Sequence, residues 1–214
     1  MPDTVSPLGI VRRCSPVLEN PFLWELARYA GDALFQLYRN RFRLMREWEI
    51  PAVGDSVLEI GCGIGHYSRA ARGAYLGIDL HERYVRYAVK RNAAPNRAFR
   101  CVDAAELERE GTRFDTVLIV DVIHHLDDET AVRVLRAAGA LARREVLIFE
   151  PLSEQPRFVG RWLVEHDRGG FVRPETALLG LLARAGLVVR RNAELWLGPI
   201  NSRAILAAGP ARHG

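Results

Sequence analysis

Short apolar runs alternate with helical patterns along most of the chain, and this alternation restricts the fold more than any other feature. The runs predicted to be strands lie at 56–60, 74–80, 99–103, 114–122 and 145–152. Helical spacing follows three of them, at 65–72, 82–92 and 128–142. Strands that alternate with helices build βαβ units, in which helices cover both faces of a parallel sheet. The sequence therefore predicts an α/β fold with a doubly wound, mostly parallel sheet.

The two ends of the chain depart from this alternation. Apolar residues recur at helical spacing before the first strand, which predicts an N-terminal helical cap over residues 1–50. After a predicted helix at 174–185, strand-like runs at 187–195 and 202–208 follow each other without a helix between them. We expect these two runs to pair antiparallel at one edge of the sheet. The core, residues 51–214, is thus predicted to hold a seven-stranded sheet with an antiparallel edge strand.

The basic residues are almost all arginine, since Lys90 is the only lysine among 30 lysine and arginine residues. No glycine precedes Lys90, which excludes a P-loop, and its helical setting does not suit a Schiff-base lysine. The net charge is +4, but the arginines are spread along the chain and interleaved with acids. This distribution is typical of a solvated surface, so no nucleic-acid partner is predicted.

Three cysteines, Cys14, Cys62 and Cys101, show neither a C-x-x-C motif nor the spacing of metal ligands. We therefore expect no metal and a reduced, cytoplasmic location. No run approaches the ~18 apolar residues of a membrane span, so no stable membrane insertion is expected. A homodimer is one alternative for the oligomeric state, which the sequence leaves open.

The stretch VLEIGCGIGH carries three alternating glycines, Gly61, Gly63 and Gly65, directly after the first strand. In a dinucleotide-binding G-x-G-x-x-G loop the third glycine lies one position later, where this chain has His66. The same glycines would also suit a tight strand-to-helix turn that binds nothing. Glu59, two residues before Gly61, adds a carboxylate at the end of the strand.

Two further carboxylates close the next strands. Asp79 ends the second strand and Asp103 ends the third. The carboxyl ends of strands in an open α/β sheet face the ligand crevice, where an acid after the second strand can accept hydrogen bonds from ribose hydroxyls. The glycine loop and these acids together predict a cofactor crevice at this edge of the sheet.

Five segments in register resemble the motifs of class I S-adenosylmethionine-dependent methyltransferases: VLEIGCGIG, LGIDL, CVDAAEL, FDTVLIVDVIHHLDD and VLIFEPL. The resemblance is strong over residues 50–152 and looser in the tail. It is most direct to small-molecule methyltransferases of the ubiquinone and menaquinone biosynthesis type, in which HHL follows the fourth strand. It implies a Rossmann-like fold, S-adenosylmethionine as cofactor, and methyl transfer to oxygen, carbon or nitrogen of a small-molecule acceptor. This cofactor has no pyrophosphate, which agrees with His66 in place of a third glycine.

The resemblance also implies which residues contact the cofactor. Glu59 would reach the methionyl amino group, Asp79 would hold the ribose diol, and Asp103 would accept from the adenine amino group. Further contacts, through backbone or packing, are implied for Gly61, Cys62, Gly63, Gly65, Leu80, Ala104, Val120 and Asp121.

Adjacent histidines after the fourth strand, His124 and His125, are candidates for a general base, and His166 is the third candidate for the catalytic set. The alternative is that one or both of the adjacent histidines pack against the cofactor loop or hydrogen-bond to it. Glu150, near the end of the fifth strand, is expected either to face the acceptor or simply to end its strand.

The segment at about 153–175 follows the fifth strand, where members of the family carry a substrate-facing insertion. Its predicted acceptor contacts are Phe158, Trp162, Arg168 and Phe171, and its DRGGFVRPE motif resembles a pattern found in this group. The alternative is an amphipathic helix whose aromatic residues lie in the core. The N-terminal cap is expected to act as a lid, with a helix packed on the core or a peripheral membrane contact as alternatives.

Three other functions compete with methyl transfer to a small molecule. A protein that binds the cofactor without transferring methyl would keep the same motifs. A macromolecule methyltransferase is disfavoured, because DVIH replaces the Asn/Asp-Pro-Pro-aromatic signature and no appended basic domain is expected. A nicotinamide oxidoreductase is disfavoured by His66 and by the motifs that follow it.

Overall fold

The computed structural model describes residues 21–35, 37–165 and 169–209. The predictions for Cys14, His166 and Arg168 lie outside these residues. Within the described part of the chain, no helix combines the length and the apolar character needed to cross a membrane.

The described residues form seven strands, seven α-helices and two short 3-10 turns. The strands are β1 (Val57–Ile60), β2 (Tyr75–Asp79), β3 (Arg97–Cys101), β4 (Phe114–Val120), β5 (Ala142–Pro151), β6 (Val188–Leu197) and β7 (Ile200–Ala208). The helices are α1 (Pro21–Phe35), α2 (Leu37–Trp48), α3 (Glu82–Asn92), α4 (Ala104–Arg109), α5 (Asp128–Leu141), α6 (Phe158–Glu165) and α7 (Glu175–Arg184). The 3-10 turns are His66–Arg69 and Ile123–His125.

All seven strands belong to one sheet with the order β3-β2-β1-β4-β5-β7-β6. The strands β1 to β5 pair in parallel, and β7 runs antiparallel to both of its neighbours, β5 and β6. The predicted doubly wound α/β fold and the antiparallel pairing at one edge are confirmed. The antiparallel strand itself, β7, lies one position inside the edge, and β6 is outermost.

The first predicted crossover helix, at 65–72, is only the 3-10 turn His66–Arg69. The turn starts after Gly65, whose φ is 78°, and the chain must return to the sheet at Tyr75. Gly73 lies so close to the backbone of Asp55 that a side chain there would clash, which fixes the route of this return. The helix α4 was not predicted from the sequence. It is capped by Asp103, whose carboxylate accepts from the Ala105 N–H at 2.7 Å.

The core lies on both faces of the sheet, because successive residues of the buried strands point to opposite sides. One layer joins the strands to α5 and α7 and includes Leu58, Ile119, Ile148, Leu135 and Leu181. The other layer joins the strands to α2 and includes Leu118, Phe149, Leu206, Tyr38 and Met45. The helix α2 therefore packs on the core and covers one face of β4 and β5.

The helix α1 differs from α2 in what it buries. It contacts α3 through Glu25, whose carboxylate accepts from the hydroxyl of Tyr87 at 2.6 Å. Its apolar side chains Phe22, Leu26 and Tyr29 are exposed. Of the two N-terminal helices, α1 is thus the one with an apolar surface still facing solvent.

Candidate functional site

The three glycines of the loop after β1 all have positive φ, at 72°, 52° and 78°. A β-carbon on Gly61 would lie 2.5 Å from Val122, and one on Gly65 would lie 2.5 Å from Phe99. A β-carbon on Gly63 would meet nothing within 4 Å. Two of the glycines are therefore required by packing within the protein, whereas Gly63 borders open space that a ligand can occupy.

Asp79 joins the glycine loop to the end of β2. Its carboxylate accepts from the backbone N–H groups of Gly63 and His81, each at 2.8 Å. Burial raises the pKa of Asp79, and the two N–H groups work in the opposite direction. The next residue, Leu80, is exposed and offers an apolar surface beside this carboxylate.

A negative potential lies beneath the glycine loop. Glu59 is buried and accepts a hydrogen bond from the hydroxyl of Tyr75. Burial, then the charges of Glu59 and Asp79, raise the pKa of the Cys62 thiol, which keeps it neutral. Burial and Glu59 likewise raise the pKa of Tyr75. Such a site favours a ligand that carries positive charge.

Asp103 lies at the third strand end, as predicted, and it is half-buried. Because it caps α4, its Oδ1 atom is committed to the Ala105 N–H. Ala104 is buried at the start of the helix. The structure thus brings together three predicted cofactor elements, the glycine loop, Asp79 and Asp103, at the carboxyl ends of β1, β2 and β3.

Asp121, one of the predicted cofactor contacts, has a partner that sequence reasoning missed. Arg41 of α2 is 3% exposed and donates to Asp121 at 2.5 and 2.7 Å and to the Tyr67 hydroxyl at 3.0 Å. Burial opposes the charge on Arg41, but Asp121 and then Tyr67 outweigh it and raise the pKa of Arg41. Asp121 itself has a left-handed backbone, with φ 54°.

His66, at the position of the missing third glycine, packs against α2. Its ring centroid lies 3.8 Å from that of Tyr38 and 5.8 Å from that of Phe42. A glycine there would leave Tyr38 and Phe42 without this contact. The residue that departs from the dinucleotide motif is therefore part of the interface between the glycine loop and the cap.

Glu150 organises the turn after β4. Its carboxylate accepts from the N–H groups of Val122, Ile123 and His124 at 2.8, 2.6 and 3.3 Å. Its Oε2 atom also lies 2.7 Å from Nδ1 of His124. Glu150 is 1% exposed and His124 is 4% exposed, so the carboxylate faces the inside of the turn and not an acceptor in solvent. Because Nδ1 contacts a carboxylate, it carries a proton in either charge state of the ring.

The two adjacent histidines differ in exposure. His125 is exposed, and its ring centroid lies 4.1 Å from that of the buried His124. The structure therefore places one histidine against Glu150 and presents the other at the carboxyl end of β4. Within the described residues, no three histidine, cysteine, aspartate or glutamate side chains could hold a metal ion together.

Two of the predicted acceptor contacts that the structure describes lie on α6, and a third lies beside the histidine turn. Phe158 is 79% exposed and Trp162 is 50% exposed on α6, so the alternative in which these rings lie in the core is wrong. Phe171 is brought to the histidines, because its backbone N–H donates to the carbonyl of His124 at 3.0 Å.

Comparison with known proteins agrees with this geometry. A family described as "Methyltransferase domain" matches residues 57–145. The ubiquinone biosynthesis O-methyltransferase of Rhizobium etli is 30% identical over 169 residues, which cover 72% of this chain and 68% of the relative. The protein of the same name from Cereibacter sphaeroides is 34% identical over 154 residues, or 64% of this chain, and the chain spans 62% of that relative's length.

The chain belongs to the class I S-adenosylmethionine-dependent methyltransferases, which confirms the prediction made from its motifs. Among solved structures, magnesium protoporphyrin IX methyltransferase from Synechocystis PCC 6803 with bound S-adenosylhomocysteine superposes with a TM-score of 0.61. The two are 22% identical, and the match covers 81% of this chain and 85% of that one. This likeness supports the fold.

Proposed function

We propose that this protein transfers the methyl group of S-adenosylmethionine to a small-molecule acceptor, and that a hydroxyl oxygen is the first acceptor atom to test. The observation that carries the proposal is the open space at Gly63 next to the carboxylate of Asp79. Relatives of the chain are named as O-methyltransferases, which favours oxygen over carbon or nitrogen.

The residues present fit this cofactor. Carboxylates at Glu59 and Asp79 suit its ammonium group and its ribose hydroxyls, and Leu80 offers a flat apolar contact for adenine. Asp103 and the Ala104 backbone are assigned to the adenine edge. Val120 and Asp121 are assigned to the methionyl end, where the buried guanidinium of Arg41 holds the carboxylate of Asp121 in place.

The bound cofactor supplies an electrophilic methyl group on a positively charged sulfur. The main contribution of the chain is to hold the acceptor in line with that methyl, and such orientation is worth ~7–11 kcal/mol of the barrier. The turn after β4 is fixed by Glu150 and by Arg41, so this wall of the crevice is already ordered before ligands bind.

A hydroxyl acceptor must lose its proton, and we assign that proton to His125. His125 is the exposed member of the pair, and His124 supports it from the buried side together with Glu150. A well-placed base contributes about 10²–10⁴ in rate. His166 stays a prediction, since it lies outside the described residues.

The acceptor is proposed to enter between the insertion and the N-terminal helices. The exposed rings of Phe158, Trp162 and Phe171 and the apolar side of α1 offer contacts for an aromatic or lipid-like molecule. In this proposal α1 is the part of the cap that closes, whereas α2 stays packed on the core. Arg168 as an acceptor contact, a cytoplasmic location and the absence of a nucleic-acid partner remain predictions.

Calorimetric titration with S-adenosylmethionine and S-adenosylhomocysteine tests the cofactor assignment, with Asp79→Ala as the site variant and Asp127→Ala as a control. Asp127 caps α5 and lies outside the site assigned here. Binding that is lost in Asp79→Ala but kept in Asp127→Ala supports the crevice. Transfer of tritiated methyl to a panel of catechols and phenols then tests the reaction. Binding without transfer to any oxygen, carbon or nitrogen acceptor would leave a cofactor-binding protein of the same fold.

A further inference from the structure

The insertion after β5 starts and ends at two residues that lie side by side. It leaves the sheet at Leu152 and returns at Arg173, where the two residues form a parallel bridge. The N–H of Ser153 also donates to the carbonyl of Arg173 at 2.9 Å. Arg173 is therefore part of the point at which the segment that carries the exposed rings of α6 returns to Leu152.

The returning backbone of this segment, residues 169–173, contacts the turn that carries the two histidines. The Phe171 N–H donates to the carbonyl of His124 at 3.0 Å. A β-carbon on Gly169 would clash with the imidazole of His124, so only a glycine allows this approach. The backbone on the acceptor side is thus in direct contact with the histidine turn.

The guanidinium of Arg173 binds the same turn on both sides of the histidines. Its Nη1 donates to the carbonyl of Ile123 at 3.1 Å, and its Nη2 donates to the carbonyl of Leu126 at 2.6 Å. Its Nε and Nη2 also donate to Oδ1 of Asp128 at 2.9 and 2.7 Å. The side chain of Arg173 is 10% exposed, so its bonds to the carbonyls of Ile123 and Leu126 are partly shielded from water, where they are worth more than surface contacts. Asp128 is exposed, and its bonds to Arg173 are surface contacts.

No other cationic side chain could replace this one. The planar guanidinium presents five donors in a fixed fork, and here it spans two carbonyls and a carboxylate while it also donates to the carbonyl of Phe171 at 2.8 Å. A lysine ammonium has three donors around one point and lacks the planar fork with which Arg173 bonds the carbonyls of Ile123 and Leu126.

We infer that Arg173 is a positioning residue: it sets the orientation of His124 and His125 and couples the acceptor-side insertion to them. This inference rests on the proposed function, in which His125 takes the proton of the acceptor. Arg173 also lines a small recess with His124, Glu150 and Phe171, so a change at Arg173 reaches the environment of the histidine ring directly.

The test compares Arg173→Lys and Arg173→Gln with Arg136→Gln. Arg136 is an exposed arginine that also donates to a backbone carbonyl, that of Arg184, but far from the histidines in the chain. Amide hydrogen exchange over residues 122–126 and NMR titration of the histidine rings are measured, together with calorimetric affinity for S-adenosylhomocysteine. Transfer to any catechol or phenol that the parent protein methylates is followed as well.

In both Arg173 variants we expect exchange over 122–126 to rise about tenfold or more, since bonds local to the turn are lost. We also expect altered histidine titration, and kcat lower by about 10² where an acceptor is found, as misplacement of a reacting group predicts. Affinity for S-adenosylhomocysteine should stay within about twofold, because Arg173 contacts no assigned cofactor residue. Arg136→Gln should resemble the parent in every readout.

Unchanged exchange and histidine titration in Arg173→Gln would overturn the inference. So would changes that spread over the whole sheet in proportion to a lower melting temperature, since these indicate a merely structural role. If the proposed function is wrong, the parent protein will bind neither S-adenosylmethionine nor S-adenosylhomocysteine. The hydrogen-exchange and histidine-titration experiments would still show whether Arg173 orders the turn, so the two failures can be distinguished.

Discussion

The two walls of the crevice are held in place by different means. The glycine loop is fixed by its neighbour in the sheet, because the N–H groups of Gly61 and Cys62 both donate to the carbonyl of Ile78, at 2.8 and 2.9 Å. The turn after β4 is fixed by side chains from three other elements, Arg41 of α2, Glu150 of β5 and Arg173 at the end of the insertion. We call the first the local wall, because backbone bonds to the adjacent strand fix it, whereas side chains from distant elements fix the other.

This difference explains why the glycine loop could be predicted from the sequence and the contacts of the turn after β4 could not. A glycine loop that ends a strand, with acids at the ends of the next strands, has a recognisable spacing, and the structure brings these residues together. No spacing relates Arg41 or Arg173 to the HHL turn, so their contacts could emerge only from the folded chain. The same holds for Glu150, whose position at a strand end was visible but whose partner was not.

The fold was predictable for the same reason as the local wall. Periodicity of apolar residues located all seven strands and gave α3 the bounds it has in the structure. The errors fall where packing overrides local pattern. The turn at His66 is too short for a full helix and packs against α2.

The largest effect that follows from this difference between the two walls is expected at Glu150. Glu150→Gln removes the charge that accepts three backbone N–H groups and contacts His124. We expect the free energy of unfolding to fall by about 3–5 kcal/mol, the cost of breaking a buried polar pair, as measured by urea denaturation.

Glu154→Gln is the matched control, because its carboxylate accepts from the Glu175 N–H at an exposed site. Its effect should stay within about 0.5 kcal/mol, as for most surface substitutions. A loss below about 1 kcal/mol in Glu150→Gln, the worth of one ordinary hydrogen bond, would show that the turn does not depend on this carboxylate.

A second test separates two glycines of the local wall. Gly61→Ala combines positive φ with a clash against Val122, so we expect it to cost about 2–4 kcal/mol of stability. Gly63→Ala meets no neighbour and should cost only about 1–2 kcal/mol for its backbone conformation.

For affinity to S-adenosylhomocysteine we expect the opposite order, with the larger loss in Gly63→Ala. At Gly63 the added methyl occupies the space proposed for the cofactor, so S-adenosylhomocysteine binding should fall by at least about tenfold, as overpacking of a close contact predicts. Thermal unfolding and calorimetry on both variants provide the comparison. Unchanged affinity in Gly63→Ala would place the cofactor elsewhere.

A third prediction concerns pH and Asp79. Burial raises the pKa of Asp79 above its usual value, so the folded protein without ligand binds this proton more tightly than the unfolded chain. The contribution of Asp79 to stability is therefore largest below its usual pKa and declines as pH rises through the raised value. Cofactor binding has the opposite dependence, because the ionised carboxylate is needed to accept from ribose hydroxyls.

Affinity for S-adenosylhomocysteine should thus begin to fall on acidification at a pH above the usual pKa of an aspartate. Calorimetry across the pH range checks this on the parent protein and on Asp79→Asn. The variant should bind weakly with little change from pH 7 down to the usual carboxyl range. A parent profile that falls only at the ordinary aspartate pKa would contradict the assignment.

The smallest expected effect compares two helix caps. Asp103 caps α4 and Asp127 caps α5, and each accepts from a backbone N–H, at 2.7 and 2.8 Å. Replacing either by alanine should lower the melting temperature by about 2–4 °C, as expected for loss of a cap in a chain of this size.

Only Asp103→Ala should also weaken S-adenosylhomocysteine binding, by about tenfold, the worth of one hydrogen bond to a charged acceptor. Equal affinities in the two variants would show that Asp103 caps α4 but does not contact the cofactor. Because the caps are alike in geometry, any difference between the variants reports on the crevice and not on the helix.

The position of β7 has a consequence for how the chain is made. β6 is synthesised before β7, yet within the described residues β7 is its only strand partner. β7 in turn pairs with β5. Until residues 200–208 have emerged, the nascent chain carries an open apolar edge along Val146–Phe149 and a strand with nowhere to dock. Translation that stalls in this interval exposes an aggregation-prone edge. Among the strands of this sheet, β7 is synthesised after all the others, and it joins β6 to β5.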